Sequence, residues 1–329
     1  MREELKAVCT EFIQDREVAK EAFAWDSSYL HPICAGILAD KEKTVTAQDL
    51  KQYKQMIKDK TGVFSDFRGY GMTPMACMLA VSGDAERLLN DALAVYDVLK
   101  RDYWSSHYLP LVAMIVAQMA EPSEYNRIVD KAGDIYKLMK EEHPFLTSSE
   151  DGPFAAMLAF TDRSAKAMNE EVEKCYQLLK PKFFSGNAVQ SLSHVLALGE
   201  GSAESKCQKF ESLFDTLKDS GYKYGTDYEL ATLGALSILD CDVKTITEEL
   251  IEVTDYLENQ KGYKGLFGFS KRQRMGHAAM LVSSIHVEKR ERDVMNPAAV
   301  SGTIAMIAAQ QAAMCAAIAA AVAASNAAN

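Results

Sequence analysis

Nine polar side chains stand where loops run into apolar helical stretches: Arg68, His107, Asp151, Asn187, Gln190, His194, Asp227, Arg274 and His277. Imidazole and carboxylate are the groups that move protons near neutral pH, and a histidine beside an aspartate can act as a base oriented by its partner. Amide and guanidinium groups add directional hydrogen bonds that would fix a ligand. If the segments carrying these nine residues surround a common centre, they form one polar-lined pocket, the usual form of a small-molecule site. The simpler expectation is local. Asp151, Asn187 and Asp227 are N-cap residue types, and His107 and His194 would then be packing residues.

Other chemistries have less behind them. There is no HExxH and no histidine pair at helical spacing, and the Asp240-Cys241-Asp242 cluster reads as a tight turn, so no metal is expected. No phosphate-binding glycine loop follows a strand, and no cofactor is expected. Lys261, Lys264, Lys271, Arg272 and Arg274 occur without an intervening acid. They read as a solvated basic loop, with an anion as the alternative occupant. A net charge of −10 argues against nucleic acid as a partner. The seven cysteines are odd in number and lack CxxC spacing, which fits buried thiols in a reducing cytoplasm. The first residues lack the apolar core of a signal peptide.

The elements that must position these groups repeat. Tyr53, Tyr96, Tyr136, Tyr176, Phe214 and Tyr256 recur at intervals of 38 to 43 residues, several within a Tyr-x-x-Leu/Met-Lys-like run. A period of that size marks stacked supersecondary units. Each unit reads as two helices. The first is short and apolar nearly all round, hence buried: Met75–Ala80, Leu109–Met119, Phe154–Phe160, Leu192–Leu198, Leu230–Leu239 and Met275–Ile285. The second is longer and amphipathic: Asp84–Arg101, Ser123–Glu142, Ser164–Lys180, Ala203–Asp219 and Val243–Asn259. The repeated tyrosine falls on the packing stripe of that second helix, and the lysine after it points to solvent near the helix C-terminus. Connections from first to second helix are short and polar, whereas those from second helix to the next first helix are longer and rich in aromatics. In a hairpin array the long connections emerge at one end, and that end is where function is expected.

The runs 143–158 and 186–198, with Phe67-Arg68-Gly69 and the Ala- and Met-rich end, resemble an uncharacterised bacterial family, domain of unknown function 4003. The resemblance spans most of the chain. It implies an intracellular bacterial helical protein and carries no activity and no assigned site residue.

Residues 294–329 contain no charge and sixteen alanines. Alanine is the best helix former, so Ala298–Ala324 is expected to be helical. Its length reaches a bilayer span, but alanine is barely apolar and Gln310-Gln311 lie inside it, so a membrane anchor is not expected. Packing on the array or in a homo-oligomer suits its small side chains better.

The expected architecture is all-α. Residues 1–293 form αα-hairpin repeats of about 40 residues, a capping N-terminal helix followed by six or seven hairpins, and residues 294–329 form an Ala-rich helix or tail. The array is a strongly curved solenoid or a closed α/α ring. The expected function is a non-enzymatic cytoplasmic binding or scaffold protein, taking an unknown protein or small molecule on its aromatic loop face. The alternative is an α/α-ring enzyme with a central pocket for a glycan or isoprenoid-like substrate.

Overall fold

The computed structural model describes residues 1–39, 44–102, 107–227, 229–265, 268–293, 308, 311–322 and 325. Among them there are helices and no strand. In chain order these are α1 (Glu3–Ala22), α2 (Leu30–Leu38), α3 (Ala47–Lys60), α4 (Met72–Val81), α5 (Ala85–Asp102), α6 (Leu109–Met119) and α7 (Tyr125–Glu142). Then follow α8 (Gly152–Ala159), α9 (Ala165–Leu179), α10 (Gly186–Leu198), α11 (Ala203–Asp219), α12 (Glu229–Ser237), α13 (Val243–Glu258) and α14 (Lys271–Asp293). Short 3-10 turns at Asp66–Arg68, Pro122–Glu124 and Ser149–Asp151 lead into some of them.

Local chemistry sets the starts. Thr46 and Asp49 form a reciprocal capping box at α3. Ser164, Ser185, Ser202 and Asp242 each accept the N–H three residues on at α9, α10, α11 and α13. Pro110 and Pro153 occupy first-turn positions, where a missing N–H costs nothing. The short helices are apolar on most sides and largely buried, α8 completely: all eight of its residues are buried. The longer ones bury one stripe, in α5 Leu88, Leu89, Ala92, Val95, Tyr96 and Leu99.

Packing follows the alternation. Even-numbered helices lie against one another (α2 with α4, then α6 with α8, α8 with α10, α10 with α12, α12 with α14), and so do odd-numbered ones (α1 with α3, then α5 with α7, α7 with α9, α9 with α11, α11 with α13). The last helices also lie against the first: α14 against α1 and α2, and α13 against α1. Arg2 pairs with Glu249, the N-terminal amine lies 3.2 Å from Glu252, and Arg16 Nη1 donates to Lys261 O at 3.2 Å.

Residues 311–322 are helical. Ala312, Ala313, Cys315, Ala316, Ile318 and Val322 share an apolar cluster with Leu109 of α6, Phe154 of α8 and Val195 of α10. The rest of the expected helix Ala298–Ala324, apart from Ala308, lies outside the described residues. No described helix is long and apolar enough to cross a membrane.

Candidate functional site

Two cavities border residues 311–322. The larger, about 320 Å³, lies where the first and last helices meet. Tyr29 and Ile33 of the α2 end, Glu229 and Thr232 of α12, and Gln273, His277 and Met280 of α14 line it, with Asp227 at the start of α12. Ala317, Ala320 and Ala321 supply an apolar wall. Thr232 Oγ1 donates to Glu229 O at 2.7 Å, so the buried Tyr224 hydroxyl donates to Thr232 Oγ1 at 2.7 Å.

His277 is held by aromatic neighbours. Its Nδ1 lies 2.9 Å from the Tyr263 hydroxyl, and the Phe269 ring meets it edge-on at 5.0 Å. Burial pushes its pKa down to about 3, and the Arg16 charge acts in the same direction. At neutral pH it is therefore a neutral imidazole, able to donate or accept but not to pair as a cation. Arg16 stands over Tyr263 and Phe269 at 5.6 and 5.8 Å and keeps those rings in place. The lining carries two carboxylates and no lysine or arginine among the described residues.

The smaller cavity, about 20 Å³, has Asp151, Asn187 and Ser191 on one side and Cys315, Ala316 and Ala319 on the other. Asp151 ends the 3-10 turn before α8. Its Oδ2 accepts the Ser148 N–H at 2.8 Å, and its Oδ1 lies 3.4 Å from Gln190 Nε2 and 3.9 Å from His194 Nδ1. Gln190 Nε2 also donates to Thr147 Oγ1 at 3.0 Å, and Thr147 in turn donates to Met139 O. His194 sits against Phe154, ring centroids 5.1 Å apart, and burial pushes its pKa down to about 3. Burial pushes Asp151 up to about 7, with the nearby Glu150 charge adding to it and the Ser148 N–H opposing it. The pair is thus no salt bridge: the imidazole is neutral and the carboxyl is poised near neutrality. Gln190 Oε1 and both ring nitrogens of His194 have no hydrogen-bond partner among the described residues.

The nine residues singled out by sequence therefore divide. Asp151, Asn187, Gln190 and His194 come together, and Asp227 and His277 share the larger cavity. The remaining three do local work. Arg68 donates to Lys58 O, and to Thr61 O at 2.6 Å, closing the end of α3. His107 is exposed beside Asp66 at 3.6 Å. Arg274 ties Phe269 O to Glu258. Asp151 also does the capping work expected of its type, closing a box with Ser148. Sequence reasoning missed Tyr29, Glu229, Thr232, Gln273, Thr147 and Arg16. Gln273 and His277, four apart at the start of an apolar helix, carried a readable signal. Lys261, Lys264, Lys271 and Arg272 of the basic loop are exposed, with Lys261 paired to Glu17 at 2.7 Å and Lys271 over the Tyr222 ring at 3.8 Å. Among the described residues no three His, Cys, Asp or Glu side chains come together as a metal site would need.

The fold and these cavities define an all-helical protein with a partly polar interior. The chain belongs to the family described as protein of unknown function (DUF4003), whose profile matches residues 17–312. It is similar to "Uncharacterized protein YeaA" of Bacillus subtilis (strain 168), 28% identical over 271 residues, spanning 80% of this chain and 78% of that protein. No solved structure matches the chain.

Proposed function

We propose that the chain closes into an α/α ring of helix pairs, about 40 residues per pair, whose interior binds a small molecule. The return of α13 and α14 to α1 and α2 supports closure. The observation that carries the binding reading is the cavity at that seam, where a neutral His277, the Thr232 hydroxyl and two carboxylates face an apolar wall. A few placed polar groups in a mostly apolar hollow are what a small-molecule site requires. The ligand is neutral or amine-bearing, with an apolar part. Seven free thiols support a reducing compartment, the cytoplasm, as the place of action.

A thermal-shift screen sorted by ligand charge tests this. Neutral and amine-bearing binders should stabilise the protein by about 2.7 kcal/mol at a hundredfold excess over Kd, and Thr232→Val and His277→Leu should each weaken them. Hits confined to anions, or indifferent to both substitutions, would overturn the reading.

A second reading has its own observation. Trp25, Phe64, Phe145 and Phe184 are fully exposed, each in a connection leading to a short helix. Exposed aromatics of this kind suit a partner protein at that end of the array. Replacing Phe64, Phe145 and Phe184 together by serine should abolish most binding of a hydrophobic dye and leave stability unchanged. Unchanged dye binding would discard the aromatic surface.

A further inference from the structure

The helix 311–322 separates the two cavities. Ala317, Ala320 and Ala321 wall the larger one, while Cys315, Ala316 and Ala319 cover the smaller one. What it covers there is polar. Asp151, Asn187 and Ser191 face methyl groups and a thiol, and behind them Gln190 and His194, each 1% exposed, have three polar atoms without partners among the described residues. The helix brings its own mismatch, because Gln311 Oε1 is buried without a partner among the described residues. A buried polar atom left unpaired costs about 1–3 kcal/mol, and alanine supplies neither donor nor acceptor. The smaller cavity has room for about one water molecule. The buried Asp151 acid and Ser191 hydroxyl, with the exposed Asn187 amide at their rim, are thus assembled at a place where no ligand fits while the helix is seated. Most of the helix is held by alanines, which bury less apolar surface than the leucines and methionines of α4, α6 and α8, with Met314, Ile318 and Val322 as its larger anchors.

We propose that helix 311–322 is the chain's own occupant of a polar ligand site, and that its withdrawal joins the two cavities into one chamber that takes a neutral, hydroxyl-rich molecule such as a short glycan or polyol. Hydroxyl groups both donate and accept, which is what the Asp151 carboxyl, the Asn187 amide and the Ser191 hydroxyl can answer together. Asp227 and Glu229 on the far side of the chamber turn away phosphate- or carboxylate-bearing analogues. The inference rests on the interior being the binding face, but its first measurement needs no ligand.

That measurement is alkylation of the full-length protein under native conditions, read by mass spectrometry at Cys315 and at Cys9 of α1. Both thiols are buried and pushed up to about 12 by burial, so intrinsic reactivity does not separate them. A plug that withdraws on its own makes Cys315 react about a hundredfold faster than Cys9, as local opening precedes global unfolding. Equal rates would show that the helix is ordinary core and overturn the proposal. The second arm uses full-length Ala319→Arg, whose side chain is too long and charged for the seat. Maltotriose, the neutral probe, should bind it at least about tenfold more tightly than wild type, because the closed state no longer competes. Citrate, the anionic probe, should not bind either protein. Equal maltotriose affinity, or none in the variant, also overturns the proposal. A cavity ligand weakened by Thr232→Val alongside equal labelling of the two cysteines would keep the binding reading and discard only the plug.

Discussion

Asp151 carries two opposed demands: it closes the turn before α8 through Ser148, and it does so beneath a helix that excludes water. Desolvation wins, and the carboxyl holds its proton up to about pH 7. An unfolded aspartate, with a pKa of about 3.9, has lost its proton well below that. The folded state therefore binds more protons between pH ~4 and ~7, and stability falls as pH rises through that window. The full effect is about 4 kcal/mol, present below the lower value and lost above the upper one. His194 works with the opposite sign, its depressed pKa favouring the fold above ~6.5 and losing that advantage toward ~3. Asp151→Asn should remove the aspartate contribution alone. Urea unfolding across the window should show the variant gaining on wild type from pH ~4 to ~7 and levelling off above. A difference that stays flat, or grows as pH falls, would show that the proton is not held there. The residues of this cluster were readable because Asp151, Asn187, Gln190 and His194 lie in adjacent units. Tyr29 and Ile33 were not, since nothing local says that the first pair of helices meets the last.

At the scale of the element, the repeated aromatic is a pin between helix and connection. The Tyr96 ring meets Phe67 edge-on at 5.0 Å, and its hydroxyl donates to Asp66 Oδ2 at 2.7 Å. Tyr136 donates to Ser148 O, beside the turn that holds Asp151. The following lysines do more than face water: Lys140 donates to Thr147 O, and Lys180 to Phe183 O and Phe184 O. Tyr96→Phe should cost about 1 kcal/mol, since the half-exposed Asp66 recovers water, whereas Tyr96→Ala should cost about 3–5 kcal/mol through the lost ring. Chemical denaturation of the two variants measures the split; equal losses would mean that the hydroxyl, not the ring, is the anchor. The helix bounds were legible wherever caps and apolar runs coincide, as at α6 and α11, which match the expected ranges residue for residue. They failed at α10, expected from Leu192 but beginning at Gly186. Its first turns read as loop because Asn187, Gln190 and Ser191 interrupt the apolar pattern, and Asn187 and Ser191 do so because they border a cavity rather than core.

For the whole molecule, the proposed ring depends on a seam that Arg2, Lys261 and the N-terminal amine bridge with ion pairs and that Arg16 spans from within. Arg16 of α1 is buried, donates to Lys261 O and to Glu17, and lies over the Tyr263 and Phe269 rings that box His277. The chain makes room for it at Gly262, where φ is 83° and a Cβ would fall 2.2 Å from Arg16 Nη2. Arg16→Ala removes the stacking cation and leaves a void between the first and last helix pairs, and should cost about 2 kcal/mol. Its further effect distinguishes ring from open array. A compact chain of this length has a radius of gyration of about 20 Å, and wild type should scatter X-rays accordingly. With the seam weakened, each unit still packs on its neighbours, so mild urea should expand Arg16→Ala before its helical signal falls, while wild type loses both together. A wild-type radius well above about 20 Å would mean that the array is open, and coincident transitions in Arg16→Ala would mean that closure does not depend on this arginine.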